Sequence, residues 1–291
     1  MSRSTATIHG WLLLLPAAAL LATFTHFPAL ATLWQSFHST AKGSRPSVYV
    51  GLEQYATMLD DPIFWQALKN NGWFALGTIP ASIALAIVMA LLVNRALPGR
   101  ALVRMSYFAP TILAMVAVAN IWLFIFAPQI GLMNQIVGAL GGMPHNWLGQ
   151  PDTALASVTA VAIWKEAGFF MIFYLAALQN MPANLAEAAA IEGASRWYYF
   201  WKVTFPLLMP TTLFVLVNAV VNAFRMVDHI IIMTKGGPDN ATMLLLYYVY
   251  ETGFMYWDTT YAAAMSMVLL VILAVVAVGQ FVILDRRTHY R

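Results

Sequence analysis

The sequence predicts an all-α membrane protein that crosses a bilayer six times, and three observations predict it. Hydrophobic residues make up 61% of the chain and charged residues only 9%, against about 25% charged in a typical soluble domain. The apolar residues gather into six runs, each long enough for the roughly 20 residues that a helix needs to cross a ~30 Å hydrocarbon core. The basic residues stand between those runs and not in one stripe, so the net charge of +3 and the pI near 9.1 report orientation in a membrane and no nucleic-acid partner.

The first run, Trp11 to Leu33, follows Arg3 and contains Ala29-Leu30-Ala31, which imitates a cleavable export signal. It is longer than such a signal's apolar core and is read as a retained span. The other runs extend from Gly72 to Val93, Met105 to Ala127, Ala154 to Asn180, Phe205 to Met233 and Tyr261 to Leu284. Pro16, Pro80 and Pro110 fall inside or at the edge of spans and are expected to kink them. The segments 34–70 and 128–152 are too short for a sizeable folded domain, which leaves a single transmembrane domain over residues 1–291. No cysteine is present, so disulfides and cysteine-based metal sites are excluded, and no metal site is expected.

Charge placement sets the orientation. With the N-terminus inside, nine basic residues face the cytoplasm (Arg3, Arg95, Arg100, Arg104, Arg196, Lys202, Arg286, Arg287 and Arg291) and four face outward (Lys42, Arg45, Lys69 and Lys235). The positive-inside rule therefore places both termini and the loop at 181–204 in the cytoplasm.

That loop is a polar stretch between two long apolar runs. After Pro182, Asn184 is placed to cap a helix, with Glu187 three residues on as its capping-box partner. Gly193 is placed to end that helix in the left-handed conformation, and Ser195 to cap a second one beginning Arg196-Trp197-Tyr198. The spacing is Glu187-Ala188-Ala189, three residues, Gly193, nine residues, Val203, one residue, then Phe205-Pro206. It resembles the EAA loop of permease subunits in ATP-binding cassette importers. The resemblance implies a six-helix type I importer fold in which Glu187, Ala188, Ala189 and Gly193 belong to a coupling element that docks into a separate ATPase. It further implies a homologous second permease as a heterodimer partner, two ATPase subunits, an external or periplasmic substrate-binding protein and a bacterial cytoplasmic (inner) membrane location.

The chain has no G-x-x-x-x-G-K-S/T phosphate loop and no G-x-S-x-G or H-E-x-x-H motif. It is thus read as a transport subunit with no catalytic residues and no cofactor of its own, ATP and Mg being held by partner ATPases. The sequence Gly236-Gly237-Pro238 reads as a turn.

Charged residues inside spans cost at least ~2.5 kcal/mol unless paired or facing a cavity. Here they are Lys165, Glu166, Arg225 and Asp228. Arg225 and Asp228 are three apart, on one helical face and able to pair, whereas the adjacent Lys165 and Glu166 seek partners on other helices. Two readings stand: a structural ion pair, or a polar translocation cavity. Trp164, the run Leu175-Ala176-Ala177-Leu178-Gln179-Asn180-Met181-Pro182, Val50-Gly51-Leu52-Glu53-Gln54-Tyr55 and the Gly-Gly-Pro turn resemble the carbohydrate-uptake branch, of maltose and sn-glycerol-3-phosphate type. That resemblance implies substrate contacts at Lys165, Glu166, Phe169, Ala223 and Asp228, with Asn222 and Arg225 beside them. The charges depart from the maltose-type pattern. Carboxylates and amides suit sugar hydroxyls, and Lys165 and Arg225 suit an anionic group. The expected function is uptake of a small sugar, polyol or sugar derivative, neutral or anionic; the alternative is an ion-coupled secondary transporter or channel.

Overall fold

A bilayer core offers the backbone no water, so a spanning chain satisfies its amides within helices. The computed structural model describes residues 3–41, 43, 45–95 and 99–285 and is helical almost throughout. Lys42, Arg286, Arg287 and Arg291 of the charge pattern lie outside the described residues. In chain order the helices are α1 (Arg3–Leu21), α2 (Phe27–Gln35), α3 (Glu53–Asp60), α4 (Pro62–Asn94), α5 (Arg100–Ile112), α6 (Met115–Ile125) and α7 (Leu132–Ala139). They continue with α8 (Pro151–Gln179), α9 (Ala183–Ile191), α10 (Arg196–Tyr199), α11 (Phe205–Arg225), α12 (Asp228–Met233), α13 (Leu245–Tyr250) and α14 (Thr259–Asp285). Among the described residues there is no strand; an isolated bridge joins His38 to Tyr49.

Two compact units divide the chain, the first formed by Met1–Asp61 with Tyr248–Val271. In it α1, a π-helical turn (Ala22–His26) and α2 run on as one apolar rod. Polar groups knit the rest. The Ser36 hydroxyl, fully buried, donates to Leu33 O and pairs with the Tyr55 hydroxyl at 2.8 Å. Thr40 bonds Asp258 and Thr260, and Gln54 Nε2 reaches Thr260 Oγ1 at 3.1 Å. The Asp61 carboxylate accepts from the Tyr248 and Tyr261 hydroxyls at 2.6 and 2.7 Å. Burial, with Asp61 beside it, pushes the Tyr248 phenol above its ordinary range and keeps it a donor.

The second unit is Pro62–Tyr247 with Ile272–Arg291. Its centre is α4 against α8, the most extensive helix pair. Ala86 and Ala90 on α4 and Ala162 and Ala167 on α8 are fully buried, and such small residues let helix backbones come close where lipid supplies no hydrophobic drive. Phe170 and Tyr174 are buried in one cluster with Ala86, Ala90 and Ala167. On another side of α8, at Gly168, a Cβ would collide with the Tyr107 carbonyl oxygen of α5.

The expected spans are recovered with three differences. The helix α4 starts at Pro62, well before Gly72. Gln66, Lys69, Asn70 and Asn71 dilute its hydropathy there, yet Phe64, Ala67, Asn70 and Asn71 are buried and hold the extra turns. The third run is not one straight span, because α5 and α6 meet at 104°. Leu113 and Ala114 between them take extended backbone, with ψ of 136° and 141°. The fifth run is likewise interrupted, since Met226 leaves the helical region with ψ of 101° and α12 starts afresh at Asp228.

Candidate functional site

The polar loop folds by local rules. Pro182 precedes α9 in extended backbone, and no side chain caps that helix. This corrects the expected Asn184–Glu187 capping box: Pro182 holds the N-cap position, so Asn184 already lies inside the first turn. The far end is as expected. Gly193 has φ of +71°; its N–H donates to Ala190 O at 3.1 Å, and the Ala194 N–H donates to Ala189 O at 2.9 Å, the paired bonds of a Schellman ending. Ser195 Oγ then accepts from the Tyr198 N–H at 3.2 Å and starts α10.

The resulting corner is bare. No residue of α9 is buried, Glu187 and Ala188 are exposed, and Ile191 and Trp197 are 88% and 71% exposed. Behind it a groove is lined by Ile87, Leu91, Leu178, Ala186, Ala190 and Tyr199. Trp197, Trp201 and Phe205 form an aromatic ladder with ring centroids 5.6 and 5.1 Å apart, carried through a π-helical turn (Phe200–Thr204) into α11.

Inside the spans, α8 presents its two charges to different neighbours. Glu166 is buried, and its Oε2 accepts from Asn222 Nδ2 of α11 at 2.7 Å. The Lys165 ammonium donates to Pro110 O at 3.1 Å and to Leu113 O at 2.6 Å, the carbonyls at the broken end of α5. Both lysine and glutamate therefore find partners on other helices, as their adjacency demands.

The pairing expected of Arg225 and Asp228 is not formed. The break at Met226–Val227 removes the shared helical face; both side chains are exposed and no ion pair joins them. Ala223, at 2% exposure, is buried, and its carbonyl accepts from Asn71 Nδ2 at 3.4 Å, so its side chain has no open surface. Phe169 is half-buried against Phe173, with centroids 5.2 Å apart.

Two features escaped the sequence reading. Asn218, Asn222 and Arg225 recur at helical spacing along α11, a polar stripe that the i, i+4, i+7 pattern could have shown. Below the Glu166–Asn222 bond, Phe173 and Phe214 close the α8–α11 seam with centroids 5.1 Å apart, above a recess lined by Ala176, Ala177, Asn180 and Thr211. The second feature is Asn70-Asn71 in α4. Asn70 Nδ2 donates to Asn240 O and Met243 O at 2.8 and 3.0 Å, and Asn71 Oδ1 accepts the Leu245 N–H at 2.9 Å. The segment that follows the Gly236-Gly237-Pro238 turn is thereby stapled to α4. Adjacent amides in an otherwise apolar run were its signal.

Residues 62–290 match the family described as binding-protein-dependent transport system inner membrane component. The sn-glycerol-3-phosphate transport system permease protein UgpA of Agrobacterium fabrum is 35% identical over 281 residues, 96% of each chain. The lactose transport system permease protein LacF of Rhizobium radiobacter is 33% identical over 94% of this chain and 93% of its own. A crystal structure of a bacterial ABC transporter that imports the acidic polysaccharide alginate superposes on 99% of this chain, with a TM-score of 0.87 at 24% identity. That likeness speaks for the fold.

Proposed function

The chain belongs to the family of binding-protein-dependent transport system inner membrane components, and from that premise we propose that it is the permease subunit of an ATP-driven importer of a small sugar, polyol or sugar derivative. It pairs with a homologous second permease, two ATPase subunits and an external substrate-binding protein, in a bacterial inner membrane with both termini in the cytoplasm. ATP and Mg belong to the ATPases.

The observation that carries this reading is the bare α9–Gly193–α10 corner. Apolar side chains left uncovered on a polar loop mark a docking surface, and this loop joins α8 directly to α11. Those two helices carry Glu166, Phe169, Asn222 and Arg225. When ATP closes the ATPase pair, a docked corner moves with it and shifts α8 and α11 as rigid rods, which opens the lining to one side or the other. Such coupling needs two sites and two states.

The lining chemistry fits hydroxylated solutes. Glu166, Asn218, Asn222 and Asp228 offer carboxylates and amides to hydroxyl groups, and Arg225 offers the planar fork that suits a phosphate or carboxylate. A phosphate ester and a neutral disaccharide are both named among the relatives' substrates, and the exposed, unpaired Arg225 favours an anionic solute.

Gly193 supplies the test. A β-branched residue at a φ of +71° is strained, so Gly193→Val distorts the corner without altering any span. Affinity capture of the ATPase by this variant should fall about tenfold or more, equivalent to ~1.4 kcal/mol, with membrane insertion unchanged. Capture at the normal level would remove the docking role.

A further inference from the structure

A helix that breaks within a bilayer exposes its last carbonyl oxygens where no water can satisfy them. α5 breaks in this way at Leu113–Ala114, and the group that meets it comes from another helix. The Lys165 ammonium reaches Pro110 O at 3.1 Å and Leu113 O at 2.6 Å. A cation at the C-terminal end of a helix is favoured by the helix dipole, and its hydrogen bonds replace those the break removes. The need is mutual, since a lysine inside a span requires oxygen partners as much as the carbonyls require a donor. Gly168, one turn along α8, brings the two helices close enough for the reach, its missing Cβ leaving room for the Tyr107 carbonyl.

We propose that Lys165 is a positioning residue: its ammonium clamps the interrupted end of α5, fixes the bend into α6, and does not bind the transported solute. The bend matters beyond α5, because α6 packs against α12, the short helix that begins at Asp228. Next to Lys165, Glu166 is tied to Asn222 on α11. The dipeptide Lys165-Glu166 thus holds from one point of α8 both α5, at its break, and α11, shortly before its own.

The chain has no cysteine, so nitroxide labels can be placed at Ser106→Cys on α5 and Phe124→Cys on α6, both exposed positions. Label-to-label distances are measured by electron–electron double resonance in the assembled importer. The otherwise unchanged protein should give one narrow distribution. Lys165→Met should broaden it towards longer distances, by about 10 Å if the arms realign at 1.5 Å of rise per residue, and Lys165→Arg, which keeps cationic donors, should restore it. An unchanged distribution in Lys165→Met, or no restoration by Lys165→Arg, overturns the proposal. Should Lys165→Met not assemble, Lys165→Arg decides alone: an assembled importer with the narrow distribution supports the clamp, and any other result overturns it. None of these readings depends on knowing the solute.

Discussion

At Gly168 the absence of one methyl group decides how near α8 comes to α5. A Cβ there would collide with Tyr107 O and stand 3.2 Å from Thr111 Oγ1. Gly168→Ala should therefore cost about 1–3 kcal/mol through overpacking, seen as a lower unfolding temperature in detergent. Gly72→Ala inside α4, with nothing within 4 Å of the added atom, is the control and should not lower that temperature, since Ala is the better helix former. Glu166 and Asn222 make a second case. Removing the amide in Asn222→Ala strips a buried carboxylate of its donor at a cost of about 1.5–3 kcal/mol, measurable in the same unfolding assay. Glu166→Gln keeps the shape and should leave the assembled protein intact while lowering uptake; unchanged uptake would take Glu166 out of the proposed lining. At this scale the sequence showed which residues were costly, but not whom they would meet. Arg225 and Asp228 look paired by spacing, and only the break at Met226–Val227 parts them; nothing in Met or Val announces a helix end.

The same lesson holds for elements, with a different cause. Six runs were legible because hydropathy accumulates over many residues and survives local errors. The bend between α5 and α6 was legible only in part: Pro110 signals a kink in the third run, but Leu113 and Ala114, where the backbone turns, are ordinary helix residues, and the donor that stabilises the break stands on α8, far away in sequence. The corner at Gly193 was legible, because a left-handed ending is written in one glycine and its neighbours. The Asn70-Asn71 staple gives an element-scale prediction. Asn71→Ala leaves the Leu245 N–H and Ala223 O without their side-chain partner, and a buried unpaired group costs about 1–3 kcal/mol. Limited proteolysis should then cut the turn at 234–244 faster in this variant, while cleavage in the 181–204 loop stays the same. Equal cleavage at 234–244 would show that the turn holds without the staple.

For the whole molecule, the orientation argued from basic residues predicts where reporter fusions will report. Fusions in the 95–104 loop should give cytoplasmic signals, and fusions near Asp60 and Asn240 external ones; a reversed pattern would move the 181–204 loop away from any ATPase. The hydrogen bonds that shape the corner run between residues of its own stretch: the Ala194 N–H to Ala189 O, the Gly193 N–H to Ala190 O, the Tyr198 N–H to Ser195 Oγ. A shape written so locally does not depend on the rest of the permease to be spelled correctly. The segment is therefore portable: moved between subunits of this kind, it would carry its own geometry with it, and under the proposed docking role the choice of ATPase would become an address that can be rewritten without redesigning the spans.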